Sequence, residues 1–280
     1  MKTNPQPRPS LRVMTFNVRG ARFDDGPNRW SARADLNVRT LRQQAPDLIG
    51  FQELNSENLD VYREQFSGYR HVPGPPYNNT PEKAMYPAIL WNPQHLDLLD
   101  SGGFWLSQTP ERHSGSWNTD CIRSATWARL LWREAGLTFI HLNTHLDHVS
   151  EWARVEGTKL IVQQLEPTRA EGLPTIVTGD FNCMPNSTAH QLFLDAGFYD
   201  TYAATGHTQP RYTWHAFQGS SFARPDLADR MDWILTRDSQ RRLDLQACEI
   251  VEDAEPPLYP SDHYPVVADI AANLPGLKDL

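Results

Sequence analysis

The feature that most limits how this chain can fold is where its polar motifs stand. Six short clusters of carboxylate, carboxamide and imidazole groups run from Asn17 to His263, each at the edge of an apolar run. In order they are Thr15-Phe16-Asn17-Val18-Arg19, Phe51-Gln52-Glu53, Asn143-Thr144-His145-Leu146-Asp147-His148, Thr178-Gly179-Asp180-Phe181-Asn182, Asp229-Arg230-Met231-Asp232 and Ser261-Asp262-His263-Tyr264-Pro265-Val266. If Asn17 and Glu53 share a site with Asp262 and His263, the two ends of the chain must meet. No cut then separates independent halves. Residues 11–272 therefore read as a single domain, although 280 residues would allow two. The Pro-rich, polar residues 1–10 read as a loose arm.

Periodicity supplies the elements. Leu11, Val13, Thr15 and Asn17 alternate with Arg12, Met14, Phe16 and Val18, a run apolar on both faces that predicts a buried central strand. Ala34, Val38, Leu41 and Ala45 recur at helical spacing until Pro46 stops them. Further strands are expected at 47–52, 85–91, 96–105, 175–177, 231–236 and 264–270, with a hairpin over 122–144 turning at Glu134-Ala135-Gly136. Helices are expected at 55–66, at 187–196, and from a Ser150 cap to about residue 165. Helices and strands interleave but hairpins occur too, so the class is α/β with mixed, mainly antiparallel sheets. The stretch 201–225, carrying Trp214 and His215, reads as a long loop that shapes a site.

Composition narrows the partners. A net charge of -8 and a pI near 5.7 provide no electrostatic footprint for non-specific nucleic-acid binding, yet a bound divalent cation and a local basic patch can still recruit phosphate. Cys121, Cys183 and Cys248 are scattered and odd in number, so neither a disulfide framework nor a zinc spacing is implied. No apolar run approaches membrane-spanning length and the N-terminal residues lack an apolar leader core. The expectation is a cytoplasmic protein with no transmembrane segment and no obligate protein partner.

The motifs carry oxygen and imidazole chemistry. Glu53 and Asn17 each end a strand-like run and together offer oxygen ligands to Mg²⁺, which needs only one or two carboxylates. Asp262 adds a metal-binding or water-orienting carboxylate beside His263. Asp180 and Asn182 are two apart, so in extended chain both point to one side, where the carboxylate can orient or deprotonate water. His145 at a strand end can donate to a phosphoryl oxygen. Asp232, among apolar neighbours, needs a partner; His263 is one candidate and Arg230 the other. Arg123, just ahead of a strand, offers a guanidinium to substrate phosphate or else pairs with a carboxylate. A competing pattern, Asn143-x-His145-x-Asp147-His148, is similar to the His-x-His-x-Asp-His zinc motif of metallo-β-lactamase-like hydrolases with Asn for the first His.

Taken together the motifs resemble the endonuclease/exonuclease/phosphatase superfamily, over roughly residues 11 to 270. The resemblance implies a four-layer α/β sandwich, two central sheets packed face to face and flanked by helices, with the site at one rim. It implies Asn17, Glu53 and Asp262 at a divalent cation, Mg²⁺ or Mn²⁺. Asp180 and Asn182 would position the attacking water, His145 and His263 would flank the phosphate, and Asp232 would pair with His263. His145 stands where abasic-site endonucleases carry Tyr, and Cys183-Met184-Pro185 replaces the Tyr-Arg of inositol phosphatases. Arg123-Ser124-Ala125-Thr126-Trp127-Ala128 looks like a bacterial branch of uncertain substrate.

The expected activity is metal-dependent hydrolysis of a phosphodiester by in-line attack of water, with Asp180 or His263 as base. The substrate would be a nucleic acid, a lipid head group or a small phosphodiester. The alternatives are a phosphomonoesterase on a sugar or inositol phosphate, a zinc hydrolase, and a catalytically silent binding module.

Overall fold

A computed structural model describes residues 8–273. The chain forms β1 (Ser10–Asn17), α1 (Trp30–Gln44), β2 (Leu48–Gln52), α2 (Ser56–Gln65), β3 (Arg70–Val72), β4 (Ile89–Trp91), β5 (Leu96–Trp105), β6 (Ser124–Trp132) and β7 (Leu137–His145). It continues through α3 (Glu151–Gln164), α4 (Glu166–Ala170), β8 (Thr175–Asp180), α5 (Thr188–Asp195), β9 (Tyr199–Asp200), α6 (Thr201–Ala204), β10 (Asp232–Arg237), β11 (Leu243–Ile250) and β12 (Val266–Ala272). Ser10, expected within the loose arm, is instead the first residue of β1, because it pairs with Ala271 of β12. Residues 1–7 of that arm lie outside the described residues.

The strands make two six-stranded sheets, ordered β11-β12-β1-β2-β4-β3 and β5-β6-β7-β8-β10-β9. In each, the two middle strands are parallel, β1 with β2 and β7 with β8, and the other pairs are antiparallel. Parallel neighbours need a crossover, supplied by α1 in the first sheet and α3 in the second. The mixed, mainly antiparallel expectation therefore holds.

Period-2 alternation then builds the layers. Met14 and Phe16 of β1 face outward against Val38 and Leu41 of α1 and Tyr62 of α2. Leu11 and Val13 face inward, where they join Ile89, Ala268, Leu130, Phe139, Ile176 and Ile234 in a core between the sheets. Ile140, Val177 and Trp233 turn outward from the second sheet to meet Ile161 of α3 and Phe193 of α5. Three apolar layers between four structural ones make the α/β sandwich. Each fully buried Leu or Phe contributes about 1.5–3 kcal/mol, so these layers give the rim a rigid base.

The inner core changes character toward one end. Past Val13, Leu48, Phe139 and Ile176, the inward positions become Thr15, Gly50, Gln52, His141, Asn143 and Thr178. Asn143 Oδ1 accepts from Gln52 Nε2 at 2.7 Å and Thr178 Oγ1 at 3.0 Å. Its Nδ2 donates to the carbonyls of Phe51 at 2.7 Å and Ala88 at 3.1 Å. One carboxamide thus stitches β7 to β2 across the seam. Gly50 permits the approach, since a Cβ there would sit 2.0 Å from Thr178 Oγ1.

Ser150 caps α3 as expected, accepting from Ala153 N at 3.1 Å. The stretch 201–225 is not wholly loop: Thr201–Ala204 is helical because Asp200 caps it through Tyr202 N and Ala203 N. The expected strand at 85–91 is shorter, with Met85 forming only an isolated bridge to Tyr77. Among the described residues no helix is long and apolar enough to cross a membrane.

Candidate active site

Topology brings the polar motifs to one rim. The carboxyl ends of the parallel strands deliver Asn17 (β1), Glu53 just past β2, His145 (β7) and Asp180 (β8). β10 runs antiparallel to β8, so its first residue, Asp232, lies opposite Asp180. His263 stands three residues ahead of β12, which is antiparallel to β1. The two sheets meet directly here, since Asn17 Nδ2 donates to Asp180 Oδ2 at 2.9 Å.

Three residues leaving these strands are in the left-handed region, unusual for side chains with a Cβ: Arg19 (φ 51), Glu53 (φ 59) and Asn182 (φ 49). Two are held locally. Asn17 Oδ1 accepts from Arg19 N at 3.0 Å, and Asp180 Oδ1 accepts from Asn182 N at 2.9 Å, each side chain closing its own turn. Phe51, two residues before Glu53, has no side-chain acceptor, and Glu53 N instead donates to the distant Tyr77 Oη at 2.6 Å.

His263 Nδ1 pairs with Asp232 Oδ2 at 2.9 Å, while its Nε2 stands 3.7 Å from Asp180 Oδ2 and 3.4 Å from Asn17 Nδ2. Burial works against its charge, but Asp232 and Asp180 outweigh burial and push its pKa up to about 10. Burial and the Asp232 charge move the Asp180 carboxyl above the usual carboxylate range. On the other flank, His145 Nε2 lies 2.9 Å from Asn182 Nδ2 and 3.3 Å from Asp180 Oδ2. Burial, then Arg123 and His263, hold His145 well below its ordinary value, so it is neutral. One imidazole is charged and its counterpart is not, with a carboxylate between them.

The residues fit a hard divalent cation. Glu53 accepts from Asn17 Nδ2 at 3.2 Å, and Asp262 Oδ2 accepts from Trp214 Nε1 at 3.2 Å. Asp180, Asp232 and His263 bring ligand atoms within 4.8 Å of one another, Glu53 joins Asp180 through Asn17 Nδ2, and Asp232 Oδ1 is buried with no hydrogen-bond partner. Burial opposes ionisation of Asp262, yet His263 and Arg19 hold its carboxyl below the usual range. Arg19 is itself committed to Asp25 at 2.8 Å. An oxygen-rich set with surplus negative charge suits a hard divalent cation.

Residues 14–263 match the model of the Endonuclease/Exonuclease/phosphatase family. The chain belongs to the endonuclease/exonuclease/phosphatase family. Human nocturnin is 24% identical over 302 residues, an alignment spanning 95% of this chain but 66% of that protein, just under two thirds of its length. The structure of a Bacteroides vulgatus member of the family superposes with a TM-score of 0.84 at 27% identity, covering 95% of this chain and 100% of that one. A mannosyl-6-phosphatase from Bacteroides thetaiotaomicron superposes with a TM-score of 0.83 at 26% identity, covering 93% and 99%. Endonuclease/exonuclease/phosphatase enzymes are phosphoester hydrolases.

On this family scaffold the structure resolves several sequence alternatives. Asp232 takes His263, while Arg230 pairs with Asp200 at 3.0 Å. Arg123 has no carboxylate within ion-pair distance among the described residues; its Nη2 reaches His148 Nδ1 at 3.2 Å and its guanidinium lies 5.6 Å from the Tyr77 ring centroid. Its buried Nε has no hydrogen-bond partner. The zinc-like pattern disperses: Asn143 is spent on the seam, Asp147 on the Thr119–Cys121 and Val149–Ser150 turns, and His148 on Arg123. Tyr77 and Ser261, whose Oγ donates to Asn17 O at 2.7 Å, were not singled out as site residues. Ser261 sits inside a recognised motif, whereas Tyr77 follows Pro75-Pro76 with no periodicity to mark it.

Proposed function

We propose that this chain is a Mg²⁺- or Mn²⁺-dependent phosphodiesterase acting through in-line attack of water. The observation that carries the reading is the meeting of Asn17, His145 and His263 on one carboxylate, Asp180, across both sheets. Asn17, Glu53 and Asp262 would hold the cation, which when bound would neutralise charge on the phosphate and the leaving oxygen. Asp180 is the base: its two oxygens are fixed by Asn182 N and Asn17 Nδ2, and its raised pKa strengthens it as a proton acceptor. His263 keeps its proton and donates to a phosphoryl oxygen, with Asp232 fixing its ring. His145 flanks the phosphate from the other side, and Arg123 binds oxygens of the more distant substrate.

A second reading, phosphomonoester hydrolysis, is favoured by the likeness to a mannosyl-6-phosphatase. Turnover of bis-p-nitrophenyl phosphate against p-nitrophenyl phosphate, with Mg²⁺ and with chelator, separates the two. The diester should be cleaved faster, cleavage should stop with chelator, and Asp180→Asn should lose roughly 10²–10⁴-fold. Faster monoester turnover selects the second reading. No metal-dependent turnover of either compound would falsify both.

A further inference from the structure

At the end of β1 and of β8, a left-handed residue is held by the side chain two positions before it. At the end of β2 the corresponding left-handed residue is Glu53, whose carboxylate accepts from Asn17 Nδ2, and the residue two positions before it, Phe51, has no polar side chain to cap it. Gln52 is turned away, its Nε2 donating to Asn143, Thr15 and the Gly50 carbonyl. The acceptor for Glu53 N comes from 24 residues along the chain, the phenol oxygen of Tyr77 at 2.6 Å.

Tyr77 is built to hold still. It is 1% exposed, and its backbone bridges to Met85 through hydrogen bonds of 2.8 and 3.2 Å. The same phenol oxygen lies 3.1 Å from His145 Nδ1, and the two rings meet edge to face with centroids 5.6 Å apart. The face of the Tyr77 ring carries the Arg123 guanidinium. One phenol oxygen therefore touches the backbone of Glu53 on the first sheet and the imidazole of His145 on the second.

We infer that Tyr77 is a positioning residue that sets the placement of Glu53 and His145 relative to each other across the two sheets. The inference rests on the phosphoesterase reading for what the placed groups do, but not for the placement itself. A backbone N–H in a left-handed conformation has few alternative partners, and a buried one left unpaired will turn the chain to find water. That turn moves the Glu53 side chain away from Asn17. Loss of the phenol also frees Nδ1 of His145, whose partner fixes which ring nitrogen faces Asp180.

Tyr77→Phe removes only the oxygen and keeps both ring contacts. The variant should fold with an unchanged circular dichroism spectrum. Its kcat on the cleaved aryl phosphate should fall about tenfold or more while KM changes little, since a misplaced catalytic group is felt in the chemical step. Without substrate, Mn²⁺ binding followed by the electron paramagnetic resonance of the free ion should weaken several-fold, because Glu53 is no longer pinned. Wild-type kcat together with wild-type Mn²⁺ affinity in Tyr77→Phe overturns the inference and leaves Tyr77 a core residue. If the wild-type chain cleaves neither aryl phosphate, the phosphoesterase reading fails by itself, and the Mn²⁺ arm still decides whether Tyr77 positions Glu53.

Discussion

The two imidazoles at the rim differ in the groups that face them. Asp232 and Asp180 outweigh burial and raise the pKa of His263, whereas burial, then Arg123 and His263, hold that of His145 well below its ordinary value. A pKa raised to about 10 means His263 holds its proton below that pH and releases it above, so the charged donor is lost on the alkaline side. Asp232→Asn keeps the hydrogen-bond acceptor but removes the charge. The alkaline limb of kcat should then move to lower pH, and turnover near neutrality should drop by roughly 10²-fold. A rate profile with its alkaline limb unmoved would show that Asp232 does not hold the proton on His263. At this scale the sequence was largely legible: Asn17, His145, Asp180, Asn182, Asp232, Asp262 and His263 stand at the edges of apolar runs, and the two sheets bring those edges to one rim. Tyr77 was not, because its role depends on the approach of a Pro-rich segment that no local pattern records.

At the scale of elements, the seam between β2 and β7 matters more than either strand alone. Gly50 faces Thr178 and Asn143 so closely that an added methyl group would stand 2.0 Å from one oxygen and 2.5 Å from the other. Gly50→Ala should cost about 1–3 kcal/mol of unfolding free energy by overpacking, read as a lower urea midpoint at constant m-value. It should also lower kcat, since the strand it pushes aside is the one that ends at Glu53. Unchanged stability would mean the sheets separate there at no cost. Strands with a buried face, such as β1, β7 and β8, were readable because both of their faces meet apolar partners. β11 was missed: Leu243, Asp244, Leu245 and Gln246 sit on an outer edge where half-burial blurs alternation. β3 and α6, with three and four residues, are too short to show a period and exist through pairing with β4 and the Asp200 cap.

Across the whole molecule, the sequence required its ends to meet, and they do so in the middle of a sheet, where β1 pairs with β12 from Ser10–Ala271 to Thr15–Val266. The order in which strands are threaded is then separable from where they sit. A permuted chain that joins the two ends and opens between the exposed residues Thr208 and Gln209 should fold and retain turnover within about tenfold, as permutants opened at exposed loops do. A permutant that is folded but inactive would place a catalytic demand on the 205–211 segment; one that does not fold would tie stability to the native chain order.

The rim is shared, with Glu53 on one sheet and His145 and Asp180 on the other, and this has a thermodynamic corollary. Whatever bridges them acts as a rivet between two leaves and opposes their parting. A ligand at a hundred times its dissociation constant adds about 2.7 kcal/mol to the cost of opening such a protein. Occupancy should therefore be visible far from the rim, as slower amide exchange in the inner strands and delayed cleavage by proteases that wait for the leaves to separate.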